Sequence, residues 1–308
     1  MIKIDGEPLA KLIDVVTNAI GKWYEPRHVV RMASAEAKAE HIKTIENVKR
    51  EALLNHNEDL YNHLSAVEKR LITKESKRQQ NIEQVVSHAA NTMSLETEVS
   101  SENVNPDWIT RFFDIAQDIS NEQMQELWGR ILAGEVKQPG SFSLRTLEAL
   151  RNITSEEAQL FEEVASYAVY QGLYFLYKGF SRLEKTGVEY WKIMRLIEVG
   201  IIQSVSDAAL IYYRENEQRP AFLYGDYVYF LNFGSSKEEI SIPIYSFSVL
   251  GGELFKLVSI KPDYKYVKSI MMDIVSKNKG TMVSFAKISK REGSRVECDE
   301  NTLVDLFS

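Results

Sequence analysis

Cysteine occurs once in the 308 residues, at position 298. The chain can therefore close no intramolecular disulfide and build no cysteine-based zinc cage. A lone thiol suits a reducing compartment, and a cytoplasmic location is expected. Carboxylates on either side of it (Glu297, Asp299, Glu300) disfavour a reactive thiolate. Histidine is also scarce: His28, His41, His56, His63 and His88 all fall within the first 88 residues. His56 and His63 could share a helix face, but zinc on a helix needs closer spacing and further ligands. They are read as surface histidines, and no metal or cofactor is expected.

Nucleotide and hydrolase signatures are missing. Gly21-Lys22 is followed by Trp23 rather than by the hydroxyl residue of a phosphate loop, and neither G-x-G-x-x-G nor G-x-S-x-G occurs. No uncharged run approaches the ~20 residues of a membrane-spanning helix. The run 164–177 (VASYAVYQGLYFLY) falls short of that length, and is read as a buried core helix rather than a membrane-touching segment. The opening MIKIDGEPLAKLIDVV has no basic stretch leading into a continuous apolar run, so no secretory leader is expected. Basic charge is in short supply as well, with 37 Lys and Arg against 44 Asp and Glu and a net charge of -7. The deficit concentrates in residues 101–160, which carry 5 basic against 10 acidic side chains, making that segment a poor phosphate binder.

The remaining composition, 44% hydrophobic and 26% charged, is that of an ordinary globular chain able to bury a core. Leu9, Leu12, Ile13, Val16 and Ile20 share one face of a first helix. From about residue 30 to 93 the pattern predicts long helix in two pieces. Ala33, Ala37, Ile42, Ile45, Val48 and Ala52 form a thin stripe, and the polar run 55–59 interrupts it. The stripe resumes at Leu60, Leu64, Val67 and Leu71, spaced like a coiled-coil seam, and returns at Ile82, Val85 and Ala89. So narrow a stripe calls for a partner helix, from this chain or another copy. Arg70, Lys74, Lys77 and Arg78 line one side of the same helix. They offer a contact to an acidic partner or to nucleic acid, although a solvated face paired with Glu68 and Glu75 is the simpler reading.

Residues 94–105 read as a polar linker. Four helices then follow. Asn105 and Pro106 start the first, which buries Trp108, Ile109, Phe112, Phe113 and Ala116. Ser120 with Gln123 caps the second, which carries Met124, Leu127, Trp128, Ile131 and Leu132. The third carries Leu144, Leu147 and Leu150, and Thr154 with Glu157 caps the fourth. Together they predict a compact bundle, with Gly134 and Pro139-Gly140 as helix breaks. Beyond residue 180 the period changes. Helices are expected at 189–198, 249–258 and 265–276. Strands are expected at 222–233 and 240–244, joined as a hairpin across 234–238, with a final β pair at 281–288 and 295–297. The aromatic run 222–230 has no interleaved basic residues and is read as core rather than as a base-stacking platform. Asp226, Glu238, Glu239, Asp263 and Lys265 would suit a metal-dependent nuclease only if they converged, and are read as solvated surface.

The motif Asp107-Trp108-Ile109-Thr110-Arg111-Phe112-Phe113, followed by the stretch 119–135 (ISNEQMQELWGRILAGE) and by 139–147 (PGSFSLRTL), resembles the bacterial family DUF2806. The resemblance extends upstream to Arg78-Gln79-Gln80-Asn81-Ile82 and, more loosely, to 248–254 (SVLGGEL). The helix followed by Glu-Leu-Trp is also similar to the Abi-alpha proteins, which are linked to abortive phage infection. The resemblance implies a bacterial protein of defence or mobile-element biology and supplies no catalytic residues. Glu126, Arg130, Glu135 and Arg145 are the motif's polar candidates for a buried ion-pair set or an interface.

These readings predict an α+β chain, predominantly α. Residues 1–95 would be long helices for oligomerisation, 96–180 a helical bundle, and 181–308 a small α+β domain with antiparallel strands. The expected function is that of a non-enzymatic, homo-oligomeric interaction protein of phage defence or prophage biology. A nucleic-acid-binding module using helix 69–81 or the carboxy-terminal sheet is the alternative, and a cryptic metal-dependent nuclease the third reading.

Overall fold

The computed structural model describes residues 7–20, 47–51, 58–179, 188–205, 207–214, 219–233, 239–258, 260–278, 280–292, 295–299 and 302–306. The chain is α+β and mostly helical, and divides into two compact units, Met1–Arg151 and Asn152–Ser308. No described helix is long and apolar enough to cross a membrane.

Among the described residues of the first unit the regular elements are all helices. α1 (Glu7–Ile20) buries Leu9, Leu12 and Val16. A helical stretch at 47–51 precedes α2 (Glu58–Met93), and Lys49 of that stretch pairs with Glu68 at 2.6 Å. The stripe residues 33, 37, 42, 45 and 52, the polar interruption at 55–57, and His28, His41 and His56 lie outside the described residues. α3 (Pro106–Ala116) starts where expected: Asn105 Oδ1 accepts the N–H groups of Asp107 at 2.8 Å and Trp108 at 3.2 Å, with Pro106 as the first helical residue. α4 (Glu122–Lys137) differs by one residue, because Asn121 rather than Ser120 caps it, accepting from Met124 N–H at 3.1 Å. Ser120 serves another contact, described below. α5 (Leu144–Leu150) is capped by Ser143. The segment 94–105 is a loop, but not a free tether: Lys11 Nζ donates to the carbonyls of Ser100 and Glu102, and Ser100 N–H donates to Lys137 O.

Two glycine expectations diverge. Pro139-Gly140 does form the turn after α4, with Gly140 at φ 81°. Gly134, expected to break the helix, lies inside α4. A Cβ there would stand 2.9 Å from the Phe142 ring, so the bare backbone makes room for that side chain.

The second unit opens with α6 (Ser155–Ala165), whose capping box is reciprocal: Thr154 Oγ1 accepts Glu157 N–H at 3.2 Å and Glu157 Oε2 accepts Thr154 N–H at 2.8 Å. This helix was expected to complete the bundle, but it clusters with the carboxy-terminal unit. The run 164–177 is not one helix. α6 ends at Ala165, and β1 (Val169–Tyr170) and β2 (Tyr174–Tyr177) form a hairpin around Gly172 at φ 71°. Its density of β-branched and aromatic residues suits a strand at least as well as a helix.

α7 (Tyr190–Glu198), β3 (Ala209–Tyr213), β4 (Ala221–Tyr224), β5 (Tyr227–Asn232) and β6 (Glu239–Ser246) follow. Then come α8 (Val249–Leu254), a 3-10 turn (Phe255–Leu257), α9 (Tyr264–Lys277), β7 (Met282–Glu292), β8 (Arg295–Cys298) and β9 (Val304–Asp305). The sheet is antiparallel throughout, in the order β3-β6-β2-β1-β4-β5-β7-β8, with β9 beside β7. The predicted strand at 222–233 is itself a hairpin, folded at Gly225-Asp226 with Gly225 at φ 57°. Among the described residues β5 pairs with β4 and β7, while β6 pairs with β2 and β3, so the expected β5–β6 hairpin is not formed. The turn 234–238 lies outside the described residues.

Candidate interaction surface

α2 is one helix in two environments. Its carboxy-terminal third buries Asn81, Val85, Val86, Ala89 and Met93, chiefly against α4. The approach is close because Gly129 of α4 has no side chain: a Cβ there would lie 2.4 Å from His88 Cβ and 3.0 Å from the Val85 carbonyl. One position before Gly129 on α4, Trp128 packs on Phe112, which stacks on Trp108 with centroids 5.2 Å apart. Trp108 Nε1 donates to the Phe142 carbonyl at 2.8 Å. The motif aromatics thus form one continuous core.

Polar motif residues hold the loops between these helices. Arg78 reaches from α2 to the α3–α4 loop, with Nε 2.8 Å and Nη2 3.1 Å from the two carboxylate oxygens of Asp118, and is also paired with Glu75. The adjacent carboxylates raise the Arg78 pKa, chiefly through the hydrogen bond to Asp118. One turn on, buried Asn81 donates to Gln117 O at 2.8 Å and to Ser120 Oγ at 3.3 Å, and accepts from Gln125 Nε2 at 3.3 Å. Gln125 also donates to Ile119 O at 2.9 Å. The upstream motif 78–82 is therefore a clamp on the loop 117–120. This is the job that took Ser120 away from capping α4.

The four polar candidates of the motif occupy three separate places. Glu126 and Arg130 face each other at 4.0 Å along α4. Glu135 is 1% exposed and accepts the N–H groups of Gly140 at 2.7 Å and Phe142 at 3.0 Å, fixing the loop after α4. Arg145 is exposed on α5. Sequence reasoning named Glu135 but not its target. It missed Asn81 and Gln125 as partners, although an Asn and a Gln at buried helical positions signal such a network.

The amino-terminal two-thirds of α2 is differently placed. Leu60, Leu71 and Ile72 are exposed, at 39%, 39% and 52%, and Leu64 and Val67 are half-buried. Arg70, Lys74 and Lys77 are exposed beside them. The predicted interface residues thus lie along one stretch of α2, with Arg78 at its end turned toward Asp118.

In the second unit, the aromatic run is largely core, with Phe222, Tyr224, Val228 and Tyr229 buried. Asp226 sits in the β4–β5 turn, Glu239 begins β6, and Asp263 caps α9 by accepting from Lys265 and Tyr266 N–H. Glu238 lies outside the described residues. Among the described residues no three His, Cys, Asp or Glu side chains gather into a metal-binding group. Buried Tyr177, Asp273 and exposed Lys277 tie β2 to α9: the Tyr177 hydroxyl donates to Asp273, which Lys277 pairs at 2.7 Å. Burial raises the Tyr177 pKa.

A family profile described as protein of unknown function (DUF2806) matches residues 66–271. The chain belongs to the DUF2806 family. The family region begins inside the exposed part of α2 and runs to α9, so it contains the Arg78–Asn81 clamp, the aromatic core of the first unit and most of the sheet. It extends well beyond the motif that first carried the resemblance. Leu60 and Leu64 precede the DUF2806 match, whereas Val67, Leu71 and the basic side chains fall within it. No curated protein and no solved structure matches the chain.

Proposed function

We propose that this DUF2806 protein is a non-enzymatic interaction protein of the bacterial cytoplasm. Its copies assemble through the exposed part of α2, and it serves phage defence or prophage biology. The carrying observation is the row Leu60, Leu64, Val67 and Leu71, spaced as a seam and left at least partly open on a helix whose far end is firmly anchored. Residues 58–80 extend about 34 Å at 1.5 Å per residue, and the seam positions within them span two heptads that a second copy can meet. The exposed Arg70, Lys74 and Lys77 complement the acidic excess of residues 101–160, which supports a protein partner over nucleic acid. The likeness of the Glu-Leu-Trp helix to the Abi-alpha proteins supports the biological setting.

Light scattering on the full chain at micromolar concentration tests assembly. The expected result is an oligomer that the double substitution Leu60→Glu/Leu71→Glu converts to a monomer with unchanged helical circular dichroism. A wild-type chain that stays strictly monomeric, or an oligomer indifferent to both substitutions, overturns the proposal.

A further inference from the structure

We propose that the edge strand β3 is a second self-contact: another copy of this chain adds its own β3 there, antiparallel and centred on Ile211, and extends the sheet across a two-fold axis. Among the described residues β3 pairs with β6 alone and ends the strand order of the sheet. The hydrogen bonds fix which way its backbone faces. Ile244 N–H donates to Ala208 O, whereas Lys178 N–H donates to Pro243 O, so alternate residues of β6 turn to β3 and to β2. By the same alternation Leu210 and Tyr212 turn to β6, like Ala208. Ala209, Ile211 and Tyr213 therefore point their N–H and C=O groups out of the sheet.

An edge strand is ordinarily guarded by charge, proline or a bulge. β3 (Ala-Leu-Ile-Tyr-Tyr) has no charged residue and no proline, and its register with β6 runs without a shift. The opposite edge is guarded: β8 carries Arg295 and Glu297, and its pairing with β7 shifts between Ile288 and Lys290. The outward-facing residues of β3 also include its most open side chains, with Ile211 49% and Tyr213 48% exposed. A strand laid here gains main-chain hydrogen bonds and covers apolar side chains at once.

β3 itself fits this edge. Centred on Ile211, the antiparallel alignment sets Ile211 opposite its own copy and Ala209 opposite Tyr213 of the second copy. All three residues then meet at hydrogen-bonded positions, and no like charges face each other within the strand. Directly opposite residues share a sheet face, so two isoleucines pair at the axis and the large Tyr213 ring of one copy stands against the small Ala209 of the other. Ala209 lines an open hollow of about 500 Å³, walled by its partner Pro243 and by Tyr245 and Tyr190, which has room for that ring. The flanking charges agree with the alignment. Asp207 precedes the strand and Arg214 follows it, so antiparallel copies bring unlike charges toward each other at both ends.

So short an edge buries less than the roughly 1,200 Å² of a stable complex, so half-association is expected at about 0.1–1 mM. Light scattering on the full chain carrying Leu60→Glu/Leu71→Glu, at micromolar to millimolar concentration, tests the contact apart from α2. The expected result is a mass that rises from monomer toward dimer, with amide exchange slowed across residues 208–214. Ile211→Lys sets two ammonium groups at the axis, and Ile211→Pro removes an outward N–H without touching a bond to β6. Each should weaken association about tenfold or more. Thermal melts matching the parent chain show that the variants fold, and the exposed Ile211→Lys stands as the test where proline disturbs the strand. A chain that stays monomeric at millimolar concentration overturns the proposal. So does association that a folded Ile211→Lys variant retains in full, or that leaves exchange at 208–214 unchanged. The micromolar test of the α2 seam on the wild type is read independently of these results.

Discussion

At Gly129 the backbone of α4 meets α2 with no room for a side chain, and replacing it with alanine sets two effects of opposite sign against each other. In an ordinary helix interior the change is favourable by about 1 kcal/mol, because glycine loses more backbone freedom on folding. Here the new methyl group would stand 2.4 Å from His88 Cβ and 2.9 Å from Ala89 N. Carbon atoms rest at about 3.5–4.0 Å, so α2 and α4 must part by roughly 1 Å where they cross. A gap of that size forfeits up to about half the attraction of each pair it opens. Overpacking of a tight core costs about 1–3 kcal/mol. We expect Gly129→Ala to destabilise the first unit by about 1–2 kcal/mol net, and Gly129→Leu by more. Urea unfolding followed by tryptophan fluorescence is suited to the measurement, because buried Trp108 and Trp128 both report on this unit. Gly252→Ala in α8 of the second unit, followed by far-ultraviolet circular dichroism, is the control: nothing lies within 4 Å of its added Cβ, so it should be neutral or stabilise by up to about 1 kcal/mol. A Gly129→Ala protein as stable as the wild type would refute the reasoning, for it would show that propensity outweighs the contact.

Asn81→Leu should cost about 1–3 kcal/mol in the same assay, because it strands the Gln117 carbonyl and the Gln125 amide in the interior; a neutral result would mean that water replaces the amide. Arg78→Gln should cost under about 1 kcal/mol, since the Arg78 and Asp118 side chains are 25% and 52% exposed, and most of that loss should vanish in molar salt. The second unit should lose stability above about pH 10. Burial pushes the Tyr224 pKa up to about 12 and raises those of Tyr212, Tyr229 and Tyr266 as well. Unfolded tyrosines ionise near pH 10, so above that pH the folded unit holds more protons than the unfolded one. Stability, intact below about pH 10, should then fall as pH rises through the folded values, by about 1.4 kcal/mol per pH unit for each such group. Tyrosinate absorbance tracked alongside far-ultraviolet circular dichroism should show these groups ionising together with unfolding; early ionisation with the sheet intact would contradict the burial argument.

The helices of the first unit were legible because their apolar residues repeat at helical spacing and because Asn105 and Pro106 mark the start of α3. Leu9, Leu12 and Val16, and Trp108, Phe112 and Phe113, are buried as that spacing demands. Local signals failed where a distant contact decides. Ser120 was readable as a cap, but Asn81, 39 residues earlier, engages its hydroxyl and Asn121 takes over the cap. Gly134 was readable as a break, but what it accommodates is a ring eight residues later. The sheet was half legible. Alternation marks strands, yet pairing is non-local, and nothing near residues 240–246 announces partners at 174–177 and 209–213.

Helix energetics also change what the exposed part of α2 means. On an isolated helix, a narrow stripe is too little to keep residues 58–80 helical in water, and this would demand a partner for stability alone. But the expensive step in making a helix is the first turn. The buried turns at Asn81–Met93, fixed against α4 and clamped through Arg78 and Asn81, supply that nucleus. Each further residue then adds a hydrogen bond at nearly balanced free energy. Residues 58–80 can thus stay helical without a second copy, and Lys49 of the 47–51 stretch already pairs with Glu68 on them. The case for assembly therefore rests on solvent-exposed leucines and on the spacing that aligns them. It also separates two measurements: the glutamate substitutions at Leu60 and Leu71 should abolish assembly while leaving the helix intact, because the anchor that maintains the helix lies elsewhere.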